Sequence, residues 1–308
     1  MGLSYDDLPR HDALGLPHTW GLLDPDLGSL SHLTEAGLIE ATSRVERGVC
    51  VPLNLSLGEI DPPLFGRARM SHTIVEGPRN TFEEELDGWN PQSSSQWDGF
   101  RHVRAGRAGF YGGIADLDAV DPDRLSIECF ARRGIAGRGV LLDVERWCRS
   151  QGRAWDPLGA DLLDAGDLEL VAAAQGLEVR EGDILCIRLG WPAAYRRLDA
   201  QGRSDPQLSR RFAGLRAYEA TARHLWDLGV AAVCADNPAI EGAPGSSVDG
   251  SLHRRLLPML GIVMGELFDF ETLAGYCAAS GRYDFLFVAI PLPIPSGLSS
   301  PANAMAII

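Results

Sequence analysis

The chain has 308 residues, of which 45% are hydrophobic and 23% charged, a composition typical of a globular protein with enough length for a large core. Its 42 acidic and 28 basic side chains give a formal net charge of -14, so the surface repels phosphate and anionic lipid, and neither nucleic acid nor membrane is an expected partner. The acidic N-terminal segment lacks the apolar stretch of a signal peptide, no apolar run reaches membrane-spanning length, and the six cysteines show no C-x-x-C spacing. Together these features predict a cytoplasmic protein with reduced thiols.

The predicted elements follow one another with the spacing of an α/β chain. In chain order they are a helix over 33–47, a strand over 49–57, a loop-rich stretch over 62–90, a strand over 139–144, a helix over 167–175, a strand over 183–191, a helix over 208–228, a strand over 230–236, a helix and then a strand over 251–267 with a break at Gly261, a helix over 269–279 and a strand over 284–294. Thr34 is a preferred residue type for the N-cap of the first helix. Short apolar strands that alternate with helices predict an α/β fold in one domain.

The N-terminal part of the chain is predicted to differ from the rest. Residues 1–30 are rich in Pro, Gly, Asp and His, which favours an extended arm over a packed element and allows exchange onto a neighbouring copy. We therefore expect an arm and first helix over residues 1–45, followed by one catalytic domain over residues 46–308.

Polar side chains gather in four stretches outside the predicted strand cores, where an α/β domain usually carries its chemistry. These are Asp98 and His102 in PQSSSQWDGFRHVRAG (91–106), Asp236 and Glu241 in ADNPAIEG, His253 before the break at Gly261, and Glu266 at the end of the apolar run after it. A carboxylate that closes an apolar strand is costly to bury unless it pairs, binds a metal or does chemistry. Each residue also has an ordinary structural explanation: Asp98-Gly99 is a common turn pair, for example, and His102 fits a surface loop.

The order of these stretches resembles the cyclase family of metal-dependent hydrolases, which includes bacterial kynurenine formamidases and isatin hydrolases. The family's loop signature is His-x-Gly-Thr-His-x-Asp-x-Pro-x-His. Aligned on Asp98, its last histidine falls on His102, and its two earlier histidines fall on Gln92 and Gln96. Four further stretches are similar to the family: REGDILCIRLGW, ADNPAIEG, LHRRLLPMLGIVMGEL and IPLPIPSGLSSPANAMAI. The resemblance implies a swivelling β/β/α-type domain, with mixed central β-structure and flanking helices, that forms a homodimer or homotetramer.

The resemblance also implies roles for individual residues. It makes Asp98, His253 and Glu266 metal ligands and His102 the general acid/base. The candidate substrate-binding residues are Gln92, Gln96, Trp97, Tyr111, Asp236 and Glu241. A glutamine amide is a weak, neutral oxygen ligand, whereas zinc prefers imidazole or thiolate, so Mn²⁺, Mg²⁺, Zn²⁺ and a metal-free site all stay open. Trp97 suggests an aromatic or flat substrate, with a core-facing anchor as the equal alternative.

Three functions stay open at this level. The first is an arylformamidase-like hydrolase acting on a C–N, ester or lactone bond of a small cyclic or aromatic substrate, with a metal-activated water and His102 as proton carrier. The second is a cyclase or dehydratase of secondary metabolism that works without metal, and the third is a non-catalytic binder of a small molecule. The acid/base set of Asp98, His102, His253 and Glu266 favours an enzyme. A Rossmann enzyme and a serine hydrolase are disfavoured because no G-x-G-x-x-G follows a strand and no G-x-S-x-G occurs.

Overall fold

A nine-stranded mixed sheet forms the centre of the molecule in the computed structural model, which describes residues 3–308. Two further pairs of strands, β2 with β3 and β6 with β8, form separate small sheets. The strands of all three sheets are β1 Cys50–Pro52, β2 Ser71–Glu76, β3 Phe82–Asp87, β4 Gln96–Asp98, β5 Ile135–Asp143, β6 Leu162–Leu163, β7 Ile184–Arg188, β8 Gly214–Leu215, β9 Ala232–Ala235, β10 Val263–Glu266, β11 Asp284–Ala289, β12 Ser299–Pro301 and β13 Ala304–Ile307. The order in the sheet is β1-β13-β11-β5-β7-β9-β10-β4-β12. The four strands β5, β7, β9 and β10 are parallel and the strands on both flanks are antiparallel. Strands β7, β9 and β10 are buried throughout, as expected for parallel strands covered on both faces.

Nine α-helices within residues 3–308 flank the sheet. They are α1 Glu35–Thr42, α2 Ile127–Arg133, α3 Val144–Ser150, α4 Ala165–Ala174, α5 Trp191–Arg196, α6 Ala200–Arg203, α7 Glu219–Asp227, α8 Leu252–Arg255 and α9 Glu271–Ser280. Helix α8 continues into a π-helical turn that ends at Gly261, where φ is 61° and a Cβ would lie 2.6 Å from the ring of Tyr111. Only glycine fits there. None of these helices has both the length and the apolar character needed to cross a membrane. The α/β fold with a mixed central sheet and flanking helices is confirmed.

The helix predicted over residues 208–228 is wrong in its first half. A short 3₁₀ turn and β8 occupy that part, and α7 begins only at Glu219. The backbone N–H of Phe212 donates to the carbonyl of Ala243 at 3.2 Å, and that of Leu215 donates to the carbonyl of Ile240 at 2.9 Å. Pairing with a distant segment therefore replaces the helical hydrogen bonds, although the apolar side chains are buried as the pattern indicated.

Three other segments differ from the sequence-based prediction. The strand over 49–57 is confined to β1, because the backbone N–H of Leu55 donates instead to Ser95 Oγ at 2.8 Å. The last strand stops at Ala289, two residues before the first of three prolines, which cannot donate to a sheet. The stretch over 62–90 contains a solvent-exposed hairpin of β2 and β3 that no periodicity signalled.

The N-terminal segment packs against the body of its own chain, so the prediction of an extended arm is wrong. Tyr5 and Leu30 are buried in the same core cluster as the central strands. The hydroxyl of Thr19 donates to the carbonyl of Leu260 at 2.9 Å, and Trp20 Nε1 donates to the carbonyl of Pro258 at 2.7 Å. A segment of loops and short 3₁₀ turns still buries apolar surface when its polar groups find partners on a neighbouring element. The domain boundary at residue 45 stays a prediction.

Candidate active site

The pairing of β4 with β10 brings polar side chains to one face of the sheet. The register sets Gln96 opposite Glu266 and Asp98 opposite Met264. Because side chains alternate along a strand, Gln96 and Asp98 project to the same side and Trp97 projects to the other. Gln96 Nε2 donates to Glu266 Oε2 at 2.6 Å, which fixes both side chains on the polar face.

The opposite face of this strand pair is apolar core. Trp97 has no exposed surface, donates Nε1 to the carbonyl of Ala302 at 2.9 Å, and packs edge-on against Phe268 and Phe287. A Cβ on Gly265, its cross-strand neighbour, would approach the indole ring at 3.1 Å. The prediction that Trp97 contacts a flat substrate is therefore wrong, and the core-anchor alternative is what the structure shows.

His253 lies on α8 and is oriented by Glu241. Glu241 Oε2 accepts from the backbone N–H of His253 at 3.0 Å, while Oε1 lies 3.4 Å from its Nδ1 and accepts from Ser251 Oγ at 3.2 Å. Nε2 of the ring then lies 2.9 Å from Glu266 Oε1 and 3.9 Å from Asp98 Oδ2. Burial alone would lower the pKa of His253, but the carboxylates of Glu266 and Glu241 raise it well above its usual value. A carboxylate on Nδ1 with Nε2 facing a cluster is the arrangement found at metal-binding histidines.

His102 closes the cluster on its solvent side. The side chain of His102 is 26% exposed, whereas the side chain of Asp98 is fully buried. The distance from His102 Nε2 to Asp98 Oδ2 is 3.9 Å. The amide nitrogen of Gln92 lies 3.3 Å from both ring nitrogens of His102 and donates to Asp98 Oδ1 at 3.2 Å. His102 thus contacts both solvent and the buried cluster, which a group that carries protons must do.

Three buried oxygens on the polar face have no hydrogen-bond partner within residues 3–308. They are Gln96 Oε1, Asp98 Oδ2 and Glu266 Oε1. Glu266 Oε1 still lies at ion-pair distance, 2.9 Å, from His253 Nε2. Leaving a buried acceptor unpaired costs about 1–3 kcal/mol. Burial, together with the nearby Asp98 carboxylate, raises the pKa of Glu266 to about 7. Both features indicate a site shaped for a positive charge.

The donor set fits a divalent metal ion. Asp98, His102 and His253 each offer a ligand atom, and these atoms all lie within 4.8 Å of one another. Glu266 adds a second carboxylate beside His253. His253 Nε2 lies 2.9 Å from Glu266 Oε1 and 3.9 Å from Asp98 Oδ2. These distances match the roughly 3–4 Å between ligand atoms of a six-coordinate ion with bonds of about 2.1 Å. The predicted metal role of Asp98, His253 and Glu266 is compatible with this geometry and stays a prediction.

Arg67 lies next to this site, although no sequence pattern singled it out. It follows a 3₁₀ turn at Leu64–Gly66, and its Nη1 donates to the backbone carbonyl of Gln92 at 2.5 Å. Burial lowers the pKa of Arg67, while the nearby carboxylates of Glu266 and Asp98 act in the opposite direction. The loop that carries Arg67 has no fixed sequence distance to the polar strands, so only tertiary contact reveals its position.

Asp236 and Tyr111 lie elsewhere, and their predicted substrate contacts are wrong. Asp236 is fully buried and accepts from the backbone N–H groups of Leu189 and Gly190 at 2.7 and 2.9 Å. It holds the turn before α5, and burial raises its pKa to about 8. Tyr111 is buried in the core, and its hydroxyl lies 3.3 Å from Thr19 Oγ1. Local sequence could not tell on which side of the sheet these polar groups point.

The mixed α/β sheet carries a buried carboxylate–histidine cluster on its polar strand face, an arrangement that supports an enzyme. The cyclase family model matches residues 43–242, which is more than half of the chain. This protein belongs to the cyclase family, as the motif order predicted. Its oligomeric state stays a prediction.

Solved structures agree with this assignment. A structure described as a novel cyclase superimposes with a TM-score of 0.83 at 28% identity, over 94% of this chain and 99% of that chain. Isatin hydrolase A from Labrenzia aggregata bound to benzyl benzoate gives 0.61 at 17% identity, over 89% and 96%. An isatin hydrolase bound to the product analogue thioisatinate gives 0.59 at 16%, over 89% and 95%. The two isatin hydrolases show similarity of fold alone. No curated protein sequence matches the chain.

Proposed function

We propose that this protein is a hydrolase that opens an amide, ester or lactone bond in a small cyclic or aromatic substrate, with a divalent cation held by Asp98, His253 and Glu266. The observation that carries the proposal is the set of three buried oxygens without a hydrogen-bond partner, two of which lie 2.9 and 3.9 Å from Nε2 of His253. A pure binding pocket has no need of two buried carboxylates and a histidine in one cluster, since their repulsion and desolvation cost stability. Membership of the cyclase family and the isatin hydrolase fold support hydrolysis.

The orientation of Gln96 bears on which ion fits. Its amide nitrogen contacts Glu266 Oε2 at 2.6 Å; the flipped amide would put two oxygens at that distance, so the amide oxygen faces the site. Gln96 therefore offers an oxygen where the family signature has an imidazole. Three oxygens with one or two imidazoles suit Mn²⁺ or Mg²⁺ better than Zn²⁺.

The residues around the ion have separable roles in the proposed reaction. A bound divalent cation lowers the pKa of a coordinated water and polarises a carbonyl oxygen. His102 takes the proton of the attacking water and delivers it to the departing nitrogen or oxygen, exchanging with solvent on its exposed edge. Gln92 holds the His102 ring against Asp98, and Glu241 keeps Nε2 of His253 directed at the cluster.

Calorimetric titration and a substrate panel test the proposal. Mn²⁺, Mg²⁺ and Zn²⁺ are titrated into chelator-treated protein, and turnover of lactones, N-acyl aromatic amides and isatin is followed by chromatography. We expect one equivalent of Mn²⁺ to bind and His102→Ala to lower turnover by at least about 100-fold, as for a lost general acid/base. The control is His72→Ala, which alters a histidine on the exposed hairpin.

The outcomes separate hydrolysis from the alternatives. Absence of both ion binding and hydrolysis would refute the proposal. A metal-free cyclase or dehydratase is the second candidate, because Glu266, with its pKa raised by burial to about 7, offers an acid beside His253. Ring closure of a substrate, or loss of water from it, that persists in excess chelator would favour this second candidate.

A further inference from the structure

A cleft beside the active site is lined by arginines in a protein whose formal net charge is -14. Two segments form its walls, residues 62–67 and residues 203–210, and the cleft, which is open to solvent, has a volume of about 610 Å³. The two 3₁₀ turns that carry these walls are joined by a hydrogen bond of 2.8 Å from the backbone N–H of Phe65 to Ser209 Oγ. The arginines are Arg67, Arg203 and Arg210, and Asp205 is the one acidic residue among those lining residues.

The arginines of the cleft form no ion pair within residues 3–308, although Asp98 and Glu266 lie near Arg67. Within residues 3–308, none of the three has a carboxylate oxygen within 4.0 Å, whereas Arg69, just beside Arg67 in sequence, pairs with Asp61 at 2.6 Å. Arg203 is fixed by hydrogen bonds to backbone carbonyls. The carboxylate of Asp205 already accepts the backbone N–H of its own turn at 2.9 Å. The cleft is therefore a local region of positive charge on an acidic protein, which attracts anions.

Arg67 connects this cleft to the reaction centre. Its Nη1 donates to the backbone carbonyl of Gln92, whose side-chain amide contacts Asp98 and His102. Its guanidinium lies 5.0 Å from the ring centroid of Phe65, so the plane of the fork is held by stacking. Of five N–H donors, one has a partner within residues 3–308. The remaining fork has the shape that binds a carboxylate through two parallel hydrogen bonds.

We infer that the substrate carries a carboxylate group, which Arg67 binds at the inner end of the cleft and Arg210 attracts at the outer wall, while the scissile bond lies over Asp98 and His253. This inference rests on the proposed function for the position of the scissile bond. The binding of the anion itself does not depend on catalysis, because the cleft and its arginines exist whether or not the cluster turns over substrate.

Equilibrium binding of a charged probe and a neutral probe of the same shape tests the inference. Benzoate and benzamide are titrated into the full-length, chelator-treated protein, so that a metal ion cannot bind the carboxylate. We expect benzoate to bind at least about tenfold more tightly than benzamide, as a charge-assisted bidentate contact implies. Arg67→Gln should abolish this preference, and Arg67→Lys should restore part of it. Arg69→Gln, the matched control, should leave the preference intact.

The result separates this inference from the proposed hydrolysis. Equal binding of the two probes, or an unchanged preference in Arg67→Gln with an unchanged unfolding temperature, would overturn the carboxylate inference. If Arg67→Gln fails to fold, Arg210→Gln supplies the second test and should weaken the preference. A benzoate preference that depends on Arg67, in a protein inert toward the whole panel, would leave the carboxylate site standing and refute the hydrolase proposal.

Discussion

Two buried polar clusters lie on the same sheet and differ in whether their atoms are paired. At the end of β7, Arg188 donates Nη1 to Asp143 at 2.7 Å and to Glu145 at 3.1 Å, and its other two nitrogens donate to Glu271 at 3.0 and 2.8 Å. On the polar face of β4 and β10, three buried oxygens have no hydrogen-bond partner within residues 3–308.

The difference separates a structural role from a functional one. A buried charge persists in a fold when hydrogen bonds and an opposite charge compensate it, as they do around Arg188. Unpaired buried acceptors lower stability, so a protein keeps them where a ligand completes the set. Sequence alone presents both clusters as acidic or basic residues at strand ends, and the pairing of their atoms tells them apart.

Breaking the paired cluster should give the largest loss of stability. Arg188→Met leaves Asp143 and Glu271 without their shared cation in a buried setting. The free energy of unfolding should fall by about 3–5 kcal/mol, the usual result of removing one partner of a buried ion pair. Urea denaturation measures it, with Arg146→Met, a more exposed arginine that also contacts Asp143, as control. A loss no larger than that of the control would show that the cluster does not stabilise the fold.

The same kind of change in the unpaired cluster should spare stability and damage binding. Glu266→Gln relieves the repulsion between two buried carboxylates but also removes the ion pair with His253, so the unfolding temperature of the metal-free protein should change little. Mn²⁺ affinity should fall by at least about 100-fold, because the loss of a ligand exceeds the 10–100-fold effect of losing a supporting residue. Calorimetry of binding and of unfolding measures both, with Glu84→Gln on the exposed hairpin as control. Marked destabilisation with unchanged affinity would reverse the contrast.

A smaller effect is expected at Glu241, whose carboxylate contacts the cluster through His253 and accepts a hydrogen bond from Ser251. Glu241→Gln keeps the size of the side chain but removes the charge that orients the imidazole at Nδ1. Mn²⁺ affinity should fall by about 10–100-fold, the range for a residue that supports a ligand histidine. Titration calorimetry measures the loss, and Ser251→Ala, which removes one hydrogen bond to Glu241 and the N-cap of α8 but keeps the Glu241 charge, should cost less affinity. An unchanged affinity in Glu241→Gln would show that His253 keeps its orientation without it.

The smallest effect concerns the pH dependence of stability at Asp236, a buried carboxylate whose two oxygens are both hydrogen-bonded. Burial raises the pKa of Asp236 from 3.8 to about 8, so the folded chain holds a proton that the unfolded chain releases near pH 4. The stabilising contribution is complete below pH 4 and is lost as the pH rises through about 8. In the wild-type protein the free energy of unfolding should fall as the pH rises from 5 to 8, and in Asp236→Asn this slope should be shallower. The difference between the two slopes should not exceed about 1.4 kcal/mol per pH unit, which is the limit for one proton. Urea denaturation at several pH values measures the slope, and parallel curves for the two proteins would contradict the raised pKa.

The sequence by itself determined the family and the polar residues that carry the proposal. The loop presented Asp98 and His102 in the spacing of the family signature, and the segment after Ser251 presented His253 and Glu266 in a stretch similar to the family, because spacing within one short segment is a local property. The central strands were visible as short apolar runs for the same local reason.

Tertiary structure alone decided what these residues contact. The register of β4 against β10 sets Gln96 against Glu266, and no periodicity specifies a pairing between strands so far apart in the chain. Arg67 reaches the site from a loop with no pattern, and Asp236 turns away from it toward two backbone amides. The segment before α7 is not helical, although its apolar pattern predicted a helix, because its backbone groups form hydrogen bonds with residues 240–243. Contacts between distant segments depend on packing of the whole chain, which a linear pattern of residue types does not contain.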